Sequence, residues 1–330
     1  LSKTILPIMD IFDIRNDQDF EKKALDIFRY QARYNQVYKK FIELLKIDPF
    51  SLSKIDKIPF LPVEFFKFYD LLSSKEEVKE IFTSSGTTGV VQSRHLVTDL
   101  NLYEQSFLKG FNLFYGQPEK YTILALLPGY LERKGSSLIY MVNQLILSSQ
   151  SSYSGFYLDQ MDELSELLIK LNTNGEKVIL IGVTYALLDL IEHRQFKLKN
   201  TIVMETGGMK GKRKEIVRNE LHKTLCKGFG VNKIHSEYGM TELLSQAYSK
   251  GDGLFKTPPW MKILIRDTED PMTLLQQGRT GGVNIIDLAN VNSISFIATQ
   301  DLGREIGPGQ FEILGRFDHS DIRGCNLMVV

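Results

Sequence analysis

Phe82-Thr83-Ser84-Ser85-Gly86-Thr87-Thr88-Gly89 follows the apolar, strand-like Val78-Lys79-Glu80-Ile81, and beyond Phe82 it carries only small side chains. A backbone so lightly covered can approach a ligand closely. Gly86 and Gly89 can adopt positive φ, which turns successive N–H groups inward around an anion. The hydroxyls of Ser84, Ser85, Thr87 and Thr88 add donors suited to phosphate oxygens. A surface turn is the alternative for a generic Ser/Thr/Gly run, but this one is short and is approached from an apolar segment. A Walker A loop is excluded, because a Lys would follow the second Gly and Val90 stands there.

Outward from this loop, the chain alternates strands and helices. Asp99 can cap a helix running to about Tyr115, Tyr121–Leu127 reads as a buried strand ended by Pro128-Gly129, and Ser136 or Ser137 starts a helix through Ile146. Strands at Ser152–Leu158, Lys177–Val183 and Thr201–Met204 are followed by helices near 160–172, 184–193 and 211–225. Strands separated by helices of this length argue for βαβ units and a mostly parallel sheet. Upstream, apolar residues from Phe20 to Leu45 recur at helical spacing, which predicts one amphipathic helix over 17–47 capped by Asp17 or Asp19. Pro59 and Pro62 exclude a helix there, and the aromatics of Phe60–Phe68 suit core packing better than an acyl pocket. Beyond about residue 250, Trp260–Arg266, Gly282–Leu288, Ser293–Thr299 and Gln310–Leu314 read as short antiparallel strands.

Composition narrows the function. The chain has 330 residues, 43% of them hydrophobic, enough for one large domain or two. Lys+Arg and Asp+Glu are both 40, so no net charge recruits nucleic acid or an anionic membrane. No apolar run is long enough to span a membrane, and the N-terminal residues lack the pattern of a signal peptide. Cys226 and Cys325 cannot build a disulfide framework. A cytoplasmic protein is expected.

Four further segments carry chemistry. Thr206-Gly207-Gly208-Met209 follows a strand, where open α/β sheets bind ligands, and a paired glycine lets backbone lie against a flat group such as adenine. Taken alone, it reads equally as a plain turn. Ser236-Glu237-Tyr238-Gly239-Met240-Thr241-Glu242 places a ring, a hydroxyl and a carboxylate around a glycine. Tyr238 can stack on a base, Thr241 can reach an α-phosphate, and Glu242 can hold Mg²⁺, unless it is a solvent-facing helical Glu. Thr299-Gln300-Asp301-Leu302-Gly303 is expected to end a strand with Asp301 in a turn, placed to accept both hydroxyls of a ribose. Gly315-Arg316-Phe317-Asp318 and Asp321-Ile322-Arg323-Gly324-Cys325 follow.

In this order, the segments resemble the adenylate-forming superfamily, and within it the LuxE-type acyl-protein synthetases. That closer likeness adds Ser93-Arg94-His95, Leu127-Pro128-Gly129-Tyr130-Leu131-Glu132-Arg133 with Gly135-Ser136-Ser137, and the closing Arg323-Gly324-Cys325. It spans residue 58 to the end.

The resemblance implies an α/β fold: mostly parallel sheets with flanking helices over 1–250, a smaller β-rich subdomain over 251–330, and no C-terminal lid domain. It also implies ATP and Mg²⁺ as cofactors, a fatty or other carboxylic acid as substrate, and a partner reductase or acyl carrier. Carried over, Ser84 to Gly89 hold the β/γ-phosphates, Gly207, Gly208 and Tyr238 face adenine, and Asp301 and Arg316 face the ribose. Thr241 and Glu242 serve the α-phosphate and Mg²⁺, and Cys325 becomes the acyl carrier, its thiolate favoured by Arg323 and His319. Val91, Gln92 and Ser93 replace the superfamily's usual Pro and Lys, leaving Arg94 or His95 to supply that charge. Two rivals are an AMP-forming acyl-CoA ligase and a non-catalytic nucleotide-binding scaffold.

Overall fold

The computed structural model describes residues 10–84, 91–128, 135–207 and 216–316. In chain order its first elements are α1 (Asp17–Tyr34), α2 (Gln36–Leu44), β1 (Leu61–Pro62), α3 (Phe65–Phe68), β2 (Glu80–Thr83) and β3 (Arg94–Val97). Next come α4 (Leu100–Tyr115), β4 (Thr122–Leu126), α5 (Ser137–Ser149), β5 (Gly155–Phe156), α6 (Met161–Thr173), β6 (Val178–Val183), α7 (Thr184–His193), β7 (Thr201–Thr206) and α8 (Arg218–Phe229). The last are β8 (His235–Tyr238), β9 (Ala247–Ser249), β10 (Phe255–Lys256), β11 (Met261–Arg266), β12 (Thr280–Asp287), β13 (Phe296–Gly307) and β14 (Gln310–Arg316).

The chain divides into two compact units. One uses the chain up to Lys79, Ser93–Asp99 and everything from Thr257 onward; the other uses Glu80–Gln92 and Leu100–Lys256. The N-terminal helices therefore group with the β-rich segment, apart from the parallel sheet they were expected to join.

The second unit holds a sheet in the order β10-β9-β8-β7-β6-β4-β5. Pairing is parallel from β5 to β8 and antiparallel from β8 to β10. Strands β4 and β6 are buried at every position, as their unbroken apolar runs require when both faces are covered. Helix α5 packs on β4, and α7 on β6 and β7. The register pairs Leu126 with Gly182, Val183 with Thr206, and Thr206 with Glu237, so four consecutive strands end along one edge. The chain leaves that edge after Leu126, Thr206 and Tyr238 in loops, and after Val183 directly into α7.

The first unit holds the antiparallel sheet β11-β12-β13-β14, with β1 running parallel to the start of β13. Its anchor is the buried amide of Gln31 on α1. The amide donates to the carbonyls of Asn290 and Val291 at 3.0 Å and to Ser295 Oγ at 3.1 Å, and accepts from the Ser295 N–H at 3.0 Å. The Phe28 ring meets Phe296 edge-on at 5.8 Å. Three of the Phe60–Phe68 aromatics serve packing: Phe60 contacts Phe296, Phe65 contacts Phe41 and Tyr69, and Phe66 is buried, whereas Phe68 is exposed.

Strand β5 is shorter than the expected Ser152–Leu158, α8 begins later than the expected 211, and three further departures have a visible cause. The helix expected over 17–47 breaks at Asn35, whose Oδ1 caps α2 by accepting from the Tyr38 N–H, while its Nδ2 donates to the Ser293 carbonyl at 3.1 Å. Asn16, not Asp17 or Asp19, caps α1. The strand expected to stop at Thr299 runs on to Gly307, so Asp301 lies within β13 and not in a turn. The reason is β14, which pairs with this second half of β13.

Candidate functional site

In the second unit, the edge where the parallel strands end carries the first group of candidates. Ser84 follows β2 and is half-buried, while Ser85, Gly86, Thr87, Thr88 and Gly89 lie outside the described residues. Gly207 leaves β7 with φ +65°, a conformation that L side chains rarely adopt. Its carbonyl accepts a 2.7 Å hydrogen bond from the buried Thr184 hydroxyl at the start of α7, which fixes the turn; Gly208 lies outside the described residues.

Tyr238 ends β8, half-buried, with its ring edge-on to Phe255 at 6.0 Å. Behind Phe255, the Arg218 guanidinium lies over the ring at 5.1 Å. Thr241 and Glu242 follow in a turn, not in a helix, and Glu242 is only 6% exposed. The solvent-facing helical Glu considered for this position is therefore not what forms.

Glu237, to which the sequence reading gave no role, lies on β8 at this edge. It pairs in register with Thr206 on one side and Tyr248 on the other, and the Thr206 hydroxyl donates to its carboxylate. A Cβ on Gly239 would lie 2.5 Å from its Oε1, so the glycine of the Tyr-Gly pair makes room for this carboxylate. Burial, reinforced by the charge of Glu237, pushes the Tyr115 and Tyr248 phenols well above their ordinary range. The Tyr115 hydroxyl and His235 Nδ1 share a 3.2 Å hydrogen bond, and burial with nearby Lys250 and Lys233 holds His235 down to about 4. Nothing in the sequence around Glu237 announces this placement, because its neighbours are set by strand pairing. One strand back, Glu205 is buried 3.9 Å from Arg218 and 3.6 Å from His222.

In the first unit, Asp301 and Arg316 face each other in the β13–β14 ladder. Arg316 Nε lies 3.3 Å from Asp301 Oδ1; the arginine is exposed, whereas Asp301 is 6% exposed. Arg94 is half-exposed and pairs with Asp70 at 3.1 Å. His95 is buried: its Nε2 bonds Ser293 Oγ at 2.9 Å and Phe66 meets its ring edge-on at 5.4 Å. Of the two cations offered for the loop, Arg94 alone has its charge at the surface, and His95 is a packing residue.

Cys325 lies outside the described residues. Cys226 is half-buried on α8, where burial pushes its thiol up and away from the reactive form. Among the described residues, no group of three or more His, Cys, Asp or Glu is arranged to hold a metal. Among the described residues, no helix is long and apolar enough to cross a membrane.

Comparison with known proteins agrees with this architecture. A 2-hydroxyisobutyryl-CoA ligase, solved with 2-HIB-AMP and CoA, superposes with TM-score 0.65 at 11% identity over 92% of this chain and 70% of its own. ATP-bound MatB from Rhodopseudomonas palustris gives TM-score 0.56 at 16% identity over 74% of this chain, which spans about half (49%) of the MatB chain. At such identities the likeness bears on the fold, which is that of the adenylate-forming ligases' N-terminal domain. The long-chain-fatty-acid–luciferin-component ligase of Vibrio harveyi is 24% identical over 326 residues, covering 91% of this chain and 84% of that protein. Its namesake from Photorhabdus luminescens is 41% identical over 71 residues, 21% of this chain and 60% of its own. With residues 9–330 matching the family described as acyl-protein synthetase, LuxE, the chain belongs to that family.

Proposed function

We propose that this protein activates a long-chain fatty acid, or a similar carboxylic acid, as acyl-AMP and passes the acyl group to a protein thiol. The observation that carries this reading is the family match over residues 9–330. A carboxylate oxygen of the acid attacks the α-phosphorus of ATP, and the bond to the bridging oxygen of pyrophosphate breaks. A thiolate then attacks the acyl carbonyl, the thioester forms, and AMP leaves with the electron pair of the broken C–O bond.

The residues divide this work. Ser84, Ser85, Gly86, Thr87, Thr88 and Gly89 donate to the β- and γ-phosphates, with Arg94 as the nearby cation in sequence. Tyr238, together with the backbone at Gly207 and Gly208, holds adenine, while Asp301 and Arg316 hold the ribose. Thr241 donates to the α-phosphate. Glu242 holds Mg²⁺ through a carboxylate oxygen, and the ion supplies charge neutralisation at phosphorus. Fixed donors already facing the developing charge are the largest contribution a protein makes to such a step. Cys325 accepts the acyl group before a downstream reductase or acyl carrier takes it.

Carboxylate-dependent ATP–pyrophosphate exchange, run across acyl chain lengths, tests the first step, and acyl label on the protein tests the second. Exchange rising with chain length and label retained on protein are expected. Label found on coenzyme A instead would favour an acyl-CoA ligase, and no exchange with any carboxylate would leave a nucleotide-binding scaffold.

A further inference from the structure

We propose that Arg266 is a positioning residue for nucleotide binding: its buried guanidinium props open an irregularity in the sheet that presents Asp301. The inference rests on the reading of Asp301 as the ribose contact. The ladder between β12 and β13 is interrupted at this point. Gly282 pairs with Leu302 and Asn284 pairs with Ala298, so Thr299, Gln300 and Asp301 stand opposite Val283 alone. Such a bulge re-aims a side chain and leaves backbone groups without ladder partners.

Arg266, at the end of β11 and 7% exposed, meets those groups. Its Nη1 donates to the Val283 carbonyl at 2.8 Å and to Asn284 Oδ1 at 2.9 Å, and its Nη2 donates to the Thr299 carbonyl at 2.6 Å. Thr299 passes the constraint on, since its hydroxyl donates to the Val283 carbonyl at 2.9 Å and accepts from the Asp301 N–H at 3.1 Å. Gly282 gives the guanidinium its space, because a Cβ there would lie 2.6 Å from Arg266 Cζ. Burial draws the arginine down to about 10, against the opposing pull of Glu64 and Asp301. A buried cation thus stands behind the carboxylate as well as fixing its backbone, and an ionised Asp301 is the form that accepts two hydroxyls.

The test is equilibrium binding of ATP and of 2′,3′-dideoxy-ATP, which lacks both hydroxyls, to the parent, Asp301→Ala, Arg266→Met, Arg266→Lys and Thr299→Val proteins. Asp301→Ala should weaken ATP about tenfold or more and the dideoxy nucleotide by less than about threefold, as charge-assisted bonds would require. Arg266→Met should reproduce that selectivity, and Arg266→Lys should restore part of it. Thr299→Val keeps the carbonyl that Arg266 bonds and removes only the hydroxyl beneath Asp301, so a smaller selective loss is expected even if Arg266→Met does not fold. If Asp301→Ala is selective while the folded Arg266 and Thr299 variants lose both nucleotides equally, or neither, the positioning role is overturned and the ribose reading stands. Equal losses in Asp301→Ala overturn the ribose reading and this inference with it.

Discussion

Glu242 and Cys325 are proposed to serve different halves of the reaction, so each is separable by a single change. Glu242→Gln keeps the size of the side chain and removes its charge. It should lower pyrophosphate exchange by about two orders of magnitude or more, the scale seen when one fixed electrostatic group is lost. An unchanged thermal melt with unchanged exchange would remove Glu242 from the site. Cys325→Ser should release pyrophosphate like the parent yet hold no hydroxylamine-sensitive label when incubated with ATP, Mg²⁺ and labelled fatty acid. A variant that loads as well as the parent would place the carrier elsewhere. Both residues are proposed from the sequence because each sits in a short run of unusual residue types. Glu237 and Arg266 are not, because their meaning lies in what strand pairing sets beside them: Thr206 and Tyr248 for one, Gly282 and Thr299 for the other.

The alternation of apolar strands with helices was enough to read β4, β6 and β7. Where the reading failed, a polar side chain had a distant partner. Asn35 interrupts an otherwise continuous helical pattern because its amide reaches Ser293, and nothing within 17–47 announces that contact. Similarly, β13 outruns its apolar stretch because β14 pairs with it through Gln310–Arg316. Strand β8 yields a test of its own. His235 is held near 4 against an ordinary 6.5, so the folded protein keeps it neutral while the unfolded chain takes up a proton. Its contribution to stability is present above 6.5 and is lost as pH falls toward 4. Urea unfolding across that window should show a decline that His235→Gln flattens. Parallel declines in both proteins would assign the acid sensitivity to other groups.

Each unit draws on segments far apart in the chain, and the first does so most. Gln31 makes its four hydrogen bonds to residues 290–295, 259 to 264 positions away. Gln31→Leu fills the same space and removes all four bonds; the Asn290 carbonyl keeps the Ser293 N–H, but the Val291 carbonyl and the Ser295 N–H and hydroxyl lose the amide. It should cost about 3 kcal/mol or more, since each buried group left unsatisfied costs about 1–3 kcal/mol. Urea unfolding with an unchanged m-value measures this, and a loss below about 1 kcal/mol would mean that water replaces the amide.

That separation also fixes an order of events at the ribosome. Helix α1 is made early, but the backbone that its Gln31 amide must meet follows up to 264 residues later. At the ordinary pace of synthesis this is an interval of about 13–50 s. Throughout it, the apolar stripe of Phe20, Ala24, Ile27 and Phe28 has no native cover from the C-terminal strands. The nascent chain is then a natural client for a holding chaperone, and slowing translation should lengthen its exposure to proteases in proportion.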